Sequence, residues 1–294
     1  MTMESLTATW QRLNTSVEAM AALAADLRLR QSGAESHPVI RKALDEVMGL
    51  LGPGLLDGTT PQQQANVLGG ITAFFKQAVD LLEQPGRAPG WVYQDPLILQ
   101  SMGQASRMVV GLIAALAERR PSLASAIAGP GRMLDVGTGV GWLAIEAART
   151  WPSLQIVGID PYAPSLEIAR QNLATSGVAD RVELRCQSVT DLDEPASYRL
   201  AWLAGPFIPA EVVQAAMQPM VEALTPGGTL IFGLFGAPPD PLAEALLRLK
   251  ILRNGGHPWT HAEAQAMMEA AGLVELDTFA PPGPTHLVIG RKPG

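Results

Sequence analysis

The residues best suited to chemistry are three glycines on alternate positions beside a carboxylate, in Asp135-Val136-Gly137-Thr138-Gly139-Val140-Gly141-Trp142. Glycine carries no Cβ, so such a turn reaches left-handed backbone and lets a ligand lie against bare peptide. Met133 and Leu134 precede the turn as an apolar run, and Leu143, Ala144, Ala147 and Ala148 follow at helical spacing. The stretch Met133–Thr150 therefore reads as buried strand, glycine turn and helix. Unpaired N–H groups in the first turn of that helix point into the space beside the glycines. A second carboxylate ends the next apolar run, Ile156-Val157-Gly158-Ile159-Asp160, about 20 residues past the glycines. In a βαβ unit, an acid so placed accepts hydrogen bonds from both hydroxyls of a ribose. Asp160 is also a helix N-cap by type, with Pro161 after it, and one carboxylate can serve both ends. Together these elements predict a nucleoside site.

Glycine spacing narrows the nucleoside. Dinucleotide-binding dehydrogenases show G-x-G-x-x-G, whereas this chain has G-x-G-x-G, with bulky Trp142 where the third glycine of that pattern belongs. D-V-G-T-G-V-G-W resembles the first motif of the class I S-adenosylmethionine (SAM)-dependent methyltransferases, and I-V-G-I-D resembles that family's second strand. The resemblance covers roughly residues 130–292 and leaves the N-terminal part outside it. It implies an α/β fold with a seven-stranded Rossmann-like sheet, parallel except for an antiparallel last strand, preceded here by an all-helical N-terminal cap. It also implies SAM as cofactor, with Asp135, Gly137, Thr138, Gly139, Gly141, Asp160, Pro161, Ser188, Val189 and Ala204 as the binding residues. The expected reaction is in-line methyl transfer to an oxygen or nitrogen acceptor on a small molecule.

One departure bears on adenine. Many family members have an aspartate where Ser188 stands, so the contact to the amino group falls to the Ser188 hydroxyl, a backbone carbonyl or Asp191. A second departure bears on the acceptor. Related amino-methyltransferases carry a polar Asn/Asp-Pro-Pro-aromatic signature after the fourth strand, where this chain has Ala204-Gly205-Pro206-Phe207. No side-chain acceptor precedes Pro206, which argues against a nucleobase or glutamine amide as substrate. Phe207 is then pocket wall or core.

Methyl transfer needs alignment in a dry site more than it needs acid or base groups. A general base is required only for a hydroxyl or a protonated amine. His257, in the glycine-flexible loop Gly255-Gly256-His257-Pro258-Trp259, is the first choice, followed by Tyr93 and Asp95. Trp91, Phe207 and Trp259 are candidate substrate-binding residues. Trp91 and Tyr93 follow the Pro/Gly-rich break at residues 84–90; they would shield the sulfonium or serve as aromatic glue between helical cap and core. No cluster has metal-ligand spacing, so no metal is expected. Two other readings use the same motif: a SAM-binding fold that no longer methylates, and a nicotinamide-dependent oxidoreductase.

Bulk properties frame these expectations. The 294-residue chain is 47% hydrophobic and 17% charged, an ordinary globular composition with room for one or two domains. A net charge of −7 disfavours nucleic acid as partner. The single cysteine, Cys186, fits a reducing compartment and reads as a buried residue of the third strand, Arg181–Cys186. The first residues lack a basic segment followed by an apolar run, and the apolar stretch 109–117 is too short to span a bilayer. A cytoplasmic protein without membrane contact is expected.

The elements that must hold the site follow from periodicity. Residues 1–128 read as helices forming a cap or substrate lid, and 129–294 as the SAM-binding domain. Leu6, Trp10, Leu13, Val17, Met20, Ala24 and Leu27 make a 3-4 stripe on the first helix, expected to pack on its own domain, with a homodimer seam as the alternative. A second stripe runs over Ile40–Leu51, a third from Val67 to Leu81 after Thr60-Pro61, and a fourth helix from Asp95-Pro96 to about Arg119. Tyr198–Leu203 and Thr229–Leu234 read as further strands. A capping box at Thr260–Glu263 opens the last helix, and Leu273–Phe279 with Thr285–Arg291 form a closing hairpin.

Overall fold

The computed structural model describes residues 3–294. The chain divides into two compact units, one of Met1–Pro85 with Gln100–Met102, the other of Gly86–Leu99 with Gly103–Gly294.

The first unit is helical. α1 (Met3–Ser32) packs on α2 (Pro38–Leu51) and α3 (Pro61–Glu83). Proline at the first position suits the start of α2 and of α3, where an N–H has no intrahelical partner anyway. Thr60 and Gln63 exchange both bonds of a capping box at the start of α3. Leu27, Met48, Leu68 and Ile71 are buried. The first half of the α1 stripe is not: Leu6, Trp10, Leu13 and Val17 are all exposed, Trp10 at 63%. The expectation that this stripe packs on its own domain fails over these residues, because α1 is longer than the helices it lies on.

The second unit contains a seven-stranded sheet of order β3-β2-β1-β4-β5-β7-β6. Its strands are β1 (Gly131–Val136), β2 (Leu154–Ile159), β3 (Val182–Arg185), β4 (Tyr198–Ala204), β5 (Leu224–Phe235), β6 (Val274–Phe279) and β7 (Thr285–Arg291). β1 to β5 are parallel, and β7 enters antiparallel between β5 and β6. The central strands are buried on both faces, which is why their sequences run apolar without alternation. One face packs on α9 (Ala210–Ala223) and α11 (His261–Ala270), through Val213, Met217, Met220, Ala264 and Met268. The other packs on α5 (Met108–Ala117), α6 (Pro121–Ala128) and α7 (Trp142–Thr150), through Ile113, Leu116, Leu123, Leu143 and Ala147. The expected seven-stranded sheet with an antiparallel last strand and helical N-terminal region is what the chain forms.

Two local differences have physical causes. The fourth helix is split into α4 (Pro96–Ser106) and α5 at Arg107. There the amide of Arg107 bonds back three residues to Gln104, and the Ser106 hydroxyl takes the Gly103 carbonyl, so a side chain competes with the helix ladder. The run Pro96–Ala117 has the length and apolar content of a membrane span, yet Val109, Val110, Ile113, Leu116 and Ala117 are buried in the sheet's core. Cys186 lies one residue beyond β3 and is exposed, not buried as expected. The strand is shorter than its alternation suggests.

A buried charge holds the first unit's corner. Asp26 is fully buried, with Arg30 Nε and Arg41 Nη2 each 2.6 Å from its carboxylate oxygens, and Arg41 also reaches Asp45. Burial pushes the Asp26 carboxyl up, but the two arginines outweigh it and hold the group below its ordinary value. Its stabilising effect is therefore complete above the ordinary carboxyl range and fades as pH falls through the lowered value. Asp26→Ala should lower stability by about 2 kcal/mol at neutral pH, and urea titrations should show that deficit shrinking toward pH 3.

Candidate functional site

The site begins where β1 stops. Gly137, Gly139 and Gly141 all adopt left-handed backbone, with φ of 74°, 55° and 80°, a region that residues with a Cβ rarely enter. At Gly141 a Cβ would also come within 3.3 Å of Ala169 in α8 (Ala163–Ala174), a tight contact. Gly139 is different: a Cβ at that position would meet nothing closer than the Gly137 carbonyl at 4.0 Å. Its bare face is turned to open space.

The end of β2 fixes the turn. The amides of Gly137 and Thr138 both donate to the Ile159 carbonyl, at 3.0 and 3.1 Å. The Gly139 amide donates to Asp160 Oδ2 at 2.9 Å, and the Tyr162 amide to Asp160 Oδ1 at 2.8 Å. Asp160 is thus not the N-cap of α8, which is Tyr162. Each of its oxygens takes one backbone bond and keeps lone-pair capacity for a ligand. Burial raises the Asp160 carboxyl above its ordinary value, against the pull of those two amides.

Asp135 lies beneath the turn. It is 1% exposed and accepts a 2.7 Å bond from the Thr138 hydroxyl. Burial, with the Asp160 charge adding to it, pushes Asp135 up to about 7. Thr138 is itself buried, and Gly158 is the residue that gives it room: a Cβ there would stand 2.6 Å from the Thr138 hydroxyl oxygen. An isolated glycine inside an apolar strand is the signal for such a close approach. Asn172 is buried in α8 and donates to the Val140 carbonyl at 2.9 Å. Nothing in its spacing marked it.

The segment before the sheet closes on the same turn. A Cβ on Gly103 would fall 2.1 Å from Val140, and Arg107 lies over the Trp142 ring at 5.5 Å while bonding Glu146. The Tyr162 hydroxyl donates to the Tyr93 carbonyl at 3.2 Å, and Trp91 meets Tyr93 edge to face. Tyr93 is buried, and Asp95 spends a carboxylate oxygen on the Leu97 amide at the start of α4. Ser188 accepts from the Thr190 amide and shares a 2.8 Å bond with the Thr190 hydroxyl; Val189 is buried. The Cys186 thiol lies 3.7 Å from the Pro161 carbonyl.

At the carboxyl ends of β4 and β5 three loops meet. A Cβ on Gly256 would lie 1.8 Å from the Pro206 carbonyl oxygen, and one on Gly255 2.9 Å from Gly90. This sets the loop of His257 and Trp259, which follows α10 (Pro241–Arg253), against the Ala204–Phe207 loop and the segment leading to Trp91. His257 packs on Trp259 with ring centres 4.4 Å apart and has Glu263 at 3.7 Å. Trp259 is buried, its indole N–H donating to the Gly205 carbonyl at 3.2 Å. Phe207 is half exposed and stands edge to face with Phe235.

Residues 133–228 match the family model for a methyltransferase domain. Over 135 residues the chain is 34% identical to demethylmenaquinone methyltransferase of Deinococcus radiodurans, covering 45% of this chain and 54% of that protein. Over 129 residues it is 33% identical to the ubiquinone/menaquinone biosynthesis C-methyltransferase UbiE of Geotalea daltonii, covering 42% and 53%. The chain thus spans about half the length of the curated relatives it matches. Among solved structures, an O-methyltransferase family protein from Burkholderia thailandensis aligns over 100% of this chain and 99% of its own, with TM-score 0.71 at 14% identity. Human N-acetylserotonin methyltransferase, in complex with SAM, aligns over 97% and 98% with TM-score 0.65 at 14% identity. Both share the fold of this chain, N-terminal helices included.

The sheet-containing unit holds its deepest carboxyl at a cost. A buried acid whose value lies near 7 is neutral in the folded chain while its unfolded counterpart ionises from about pH 4 upward, so the penalty grows with pH until about 7 and is then constant. Asp135→Asn removes that penalty and keeps an acceptor for Thr138. Its melting temperature should match the parent near pH 4.5 and exceed it by several degrees at pH 8, read by differential scanning calorimetry.

Proposed function

We propose that this chain transfers a methyl group from SAM to an oxygen or nitrogen on a small molecule. The carrying observation is the bare face of Gly139 beside the Asp160 carboxylate, flanked by the left-handed Gly137 and Gly141. That cradle fits an adenosyl group. Gly137, Gly139 and Gly141 would take its amino-acid end against peptide, and Asp160 the ribose hydroxyls. The Ser188–Thr190 hydroxyl pair, Val189 and Pro161 would border the adenine, with Asp135 and Thr138 holding the turn from below. When bound, SAM supplies a methyl on sulfur with a neutral thioether as leaving group, so the protein's work is alignment and exclusion of water.

His257 is the proposed base for a hydroxyl or ammonium acceptor. Glu263 stands beside it, so the proton it takes is held near a carboxylate. Trp91, Phe207 and the Trp259 loop would shape the acceptor pocket. The sheet order separates this reading from a nicotinamide oxidoreductase, whose doubly wound sheet has no antiparallel strand inserted beside β5. Titration calorimetry should give saturable heat with SAM and S-adenosylhomocysteine and none with NADH; heat with NADH alone overturns the proposal. Gly139→Ala should weaken SAM at least tenfold, because its Cβ enters the cradle, and should lower the melting temperature by a few degrees, because alanine is strained at that left-handed φ.

We also propose that the exposed α1 stripe is a homodimer seam and that the protein works in the cytoplasm. Leu6, Trp10, Leu13 and Val17 repeat at heptad spacing with nothing over them in the described chain. Light scattering should give a dimer mass for the parent and a monomer mass for the double variant Trp10→Glu, Leu13→Glu. A monomeric parent at micromolar concentration refutes the seam.

A further inference from the structure

Two histidines that the proposed reaction does not use face each other at the start of α11 and of β7. His261 is the first residue of α11, behind the Thr260 capping box, and His286 is the second residue of β7, opposite Leu234 of β5. His286 Nδ1 and His261 Nε2 are 3.2 Å apart. The ring planes are within 16° of each other while their centres are 5.2 Å apart, so the imidazoles meet nitrogen to nitrogen and not face on face. Two nitrogens bound about 2.0–2.1 Å from a tetrahedral ion lie about 3.3 Å apart.

The place is built to hold this geometry. The His286 ring bonds the Pro281 carbonyl, the kind of backbone partner that orients a metal-binding imidazole. It is seated against Gly236, where a Cβ would lie 2.5 Å from ring atoms. His261 is held from the other side by the cap that starts its helix. We propose that His261 and His286 form a two-histidine site for a borderline transition-metal ion, Zn2+, Ni2+ or Cu2+, with water completing the shell. Imidazole nitrogen favours these ions over Mg2+ or Ca2+. No third His, Cys, Asp or Glu joins the pair among the described residues, so the ion is exchangeable. It would clamp the start of α11 to β7.

The test uses untagged full-length protein in a Cys186→Ser background, which removes the exposed thiol. Calorimetry with Ni2+ should give one saturable equivalent, and Cu2+ should give an electron paramagnetic resonance spectrum with coupling from two imidazole nitrogens. His261→Gln, at a half-exposed helix start, should weaken Ni2+ at least tenfold and reduce the spectrum to one nitrogen, with metal-free melting unchanged. His286→Gln should do the same, and His257→Gln should change neither readout. No binding by the parent, equal binding by His261→Gln, or a loss specific to His257→Gln overturns the site and leaves a hydrogen-bonded pair. None of these readouts depends on SAM.

Discussion

Three successive amides of the glycine turn, at Gly137, Thr138 and Gly139, are all anchored by the last carbonyl of β2 and the carboxylate after it. Everything else about the site depends on that crossing. A left-handed backbone at three positions is entropically expensive in glycine and strained in any other residue. It persists because a neighbouring strand supplies acceptors that the turn cannot find in itself. Strand and turn are therefore one device: moving β2 would release the amides, and the bare face of Gly139 would close.

The same device explains the buried acid. Among the described residues no cation pairs with Asp135; its partner is the Thr138 hydroxyl, and Asp160 adds a like charge. Such a group opposes stability near neutral pH. Its position under the turn gives the cost a purpose, because it ties Thr138 down and keeps the glycines over the cleft. Gly158 is the matching concession in β2, where a side chain would displace the threonine. Asp26 shows the contrary case in the helical unit. It is equally buried, but two arginines take both its oxygens, so the charge there stabilises.

The acceptor side of the site is built by loop contacts that admit only glycine. Gly256 against the Pro206 carbonyl brings the loops after β4 and α10 together, and Gly205 against the Phe232 ring seats the first of them on β5. His257, Phe207 and Trp259 share a neighbourhood for that reason, though they are far apart in sequence. Trp259 itself is buried among core residues of the α9 face and bonded to Gly205, so it shapes the pocket from behind.

Local chemistry in the chain was enough to determine the glycine turn, the acid at the end of β2, the caps at Thr60 and Thr260, and the alternation of strands and helices. Each is decided by residues within one turn or one βαβ unit, where φ preference and apolar period act directly. Tertiary structure alone decided the rest. The exposure of Cys186, the break at Arg107 and the uncovered half of α1 depend on where neighbouring elements end. Asn172 and Gly103 look ordinary in sequence, and only packing against Val140 gives them their roles. The pairing of His261 with His286 likewise exists only because an antiparallel strand returns beside β5 and carries one ring up to the other.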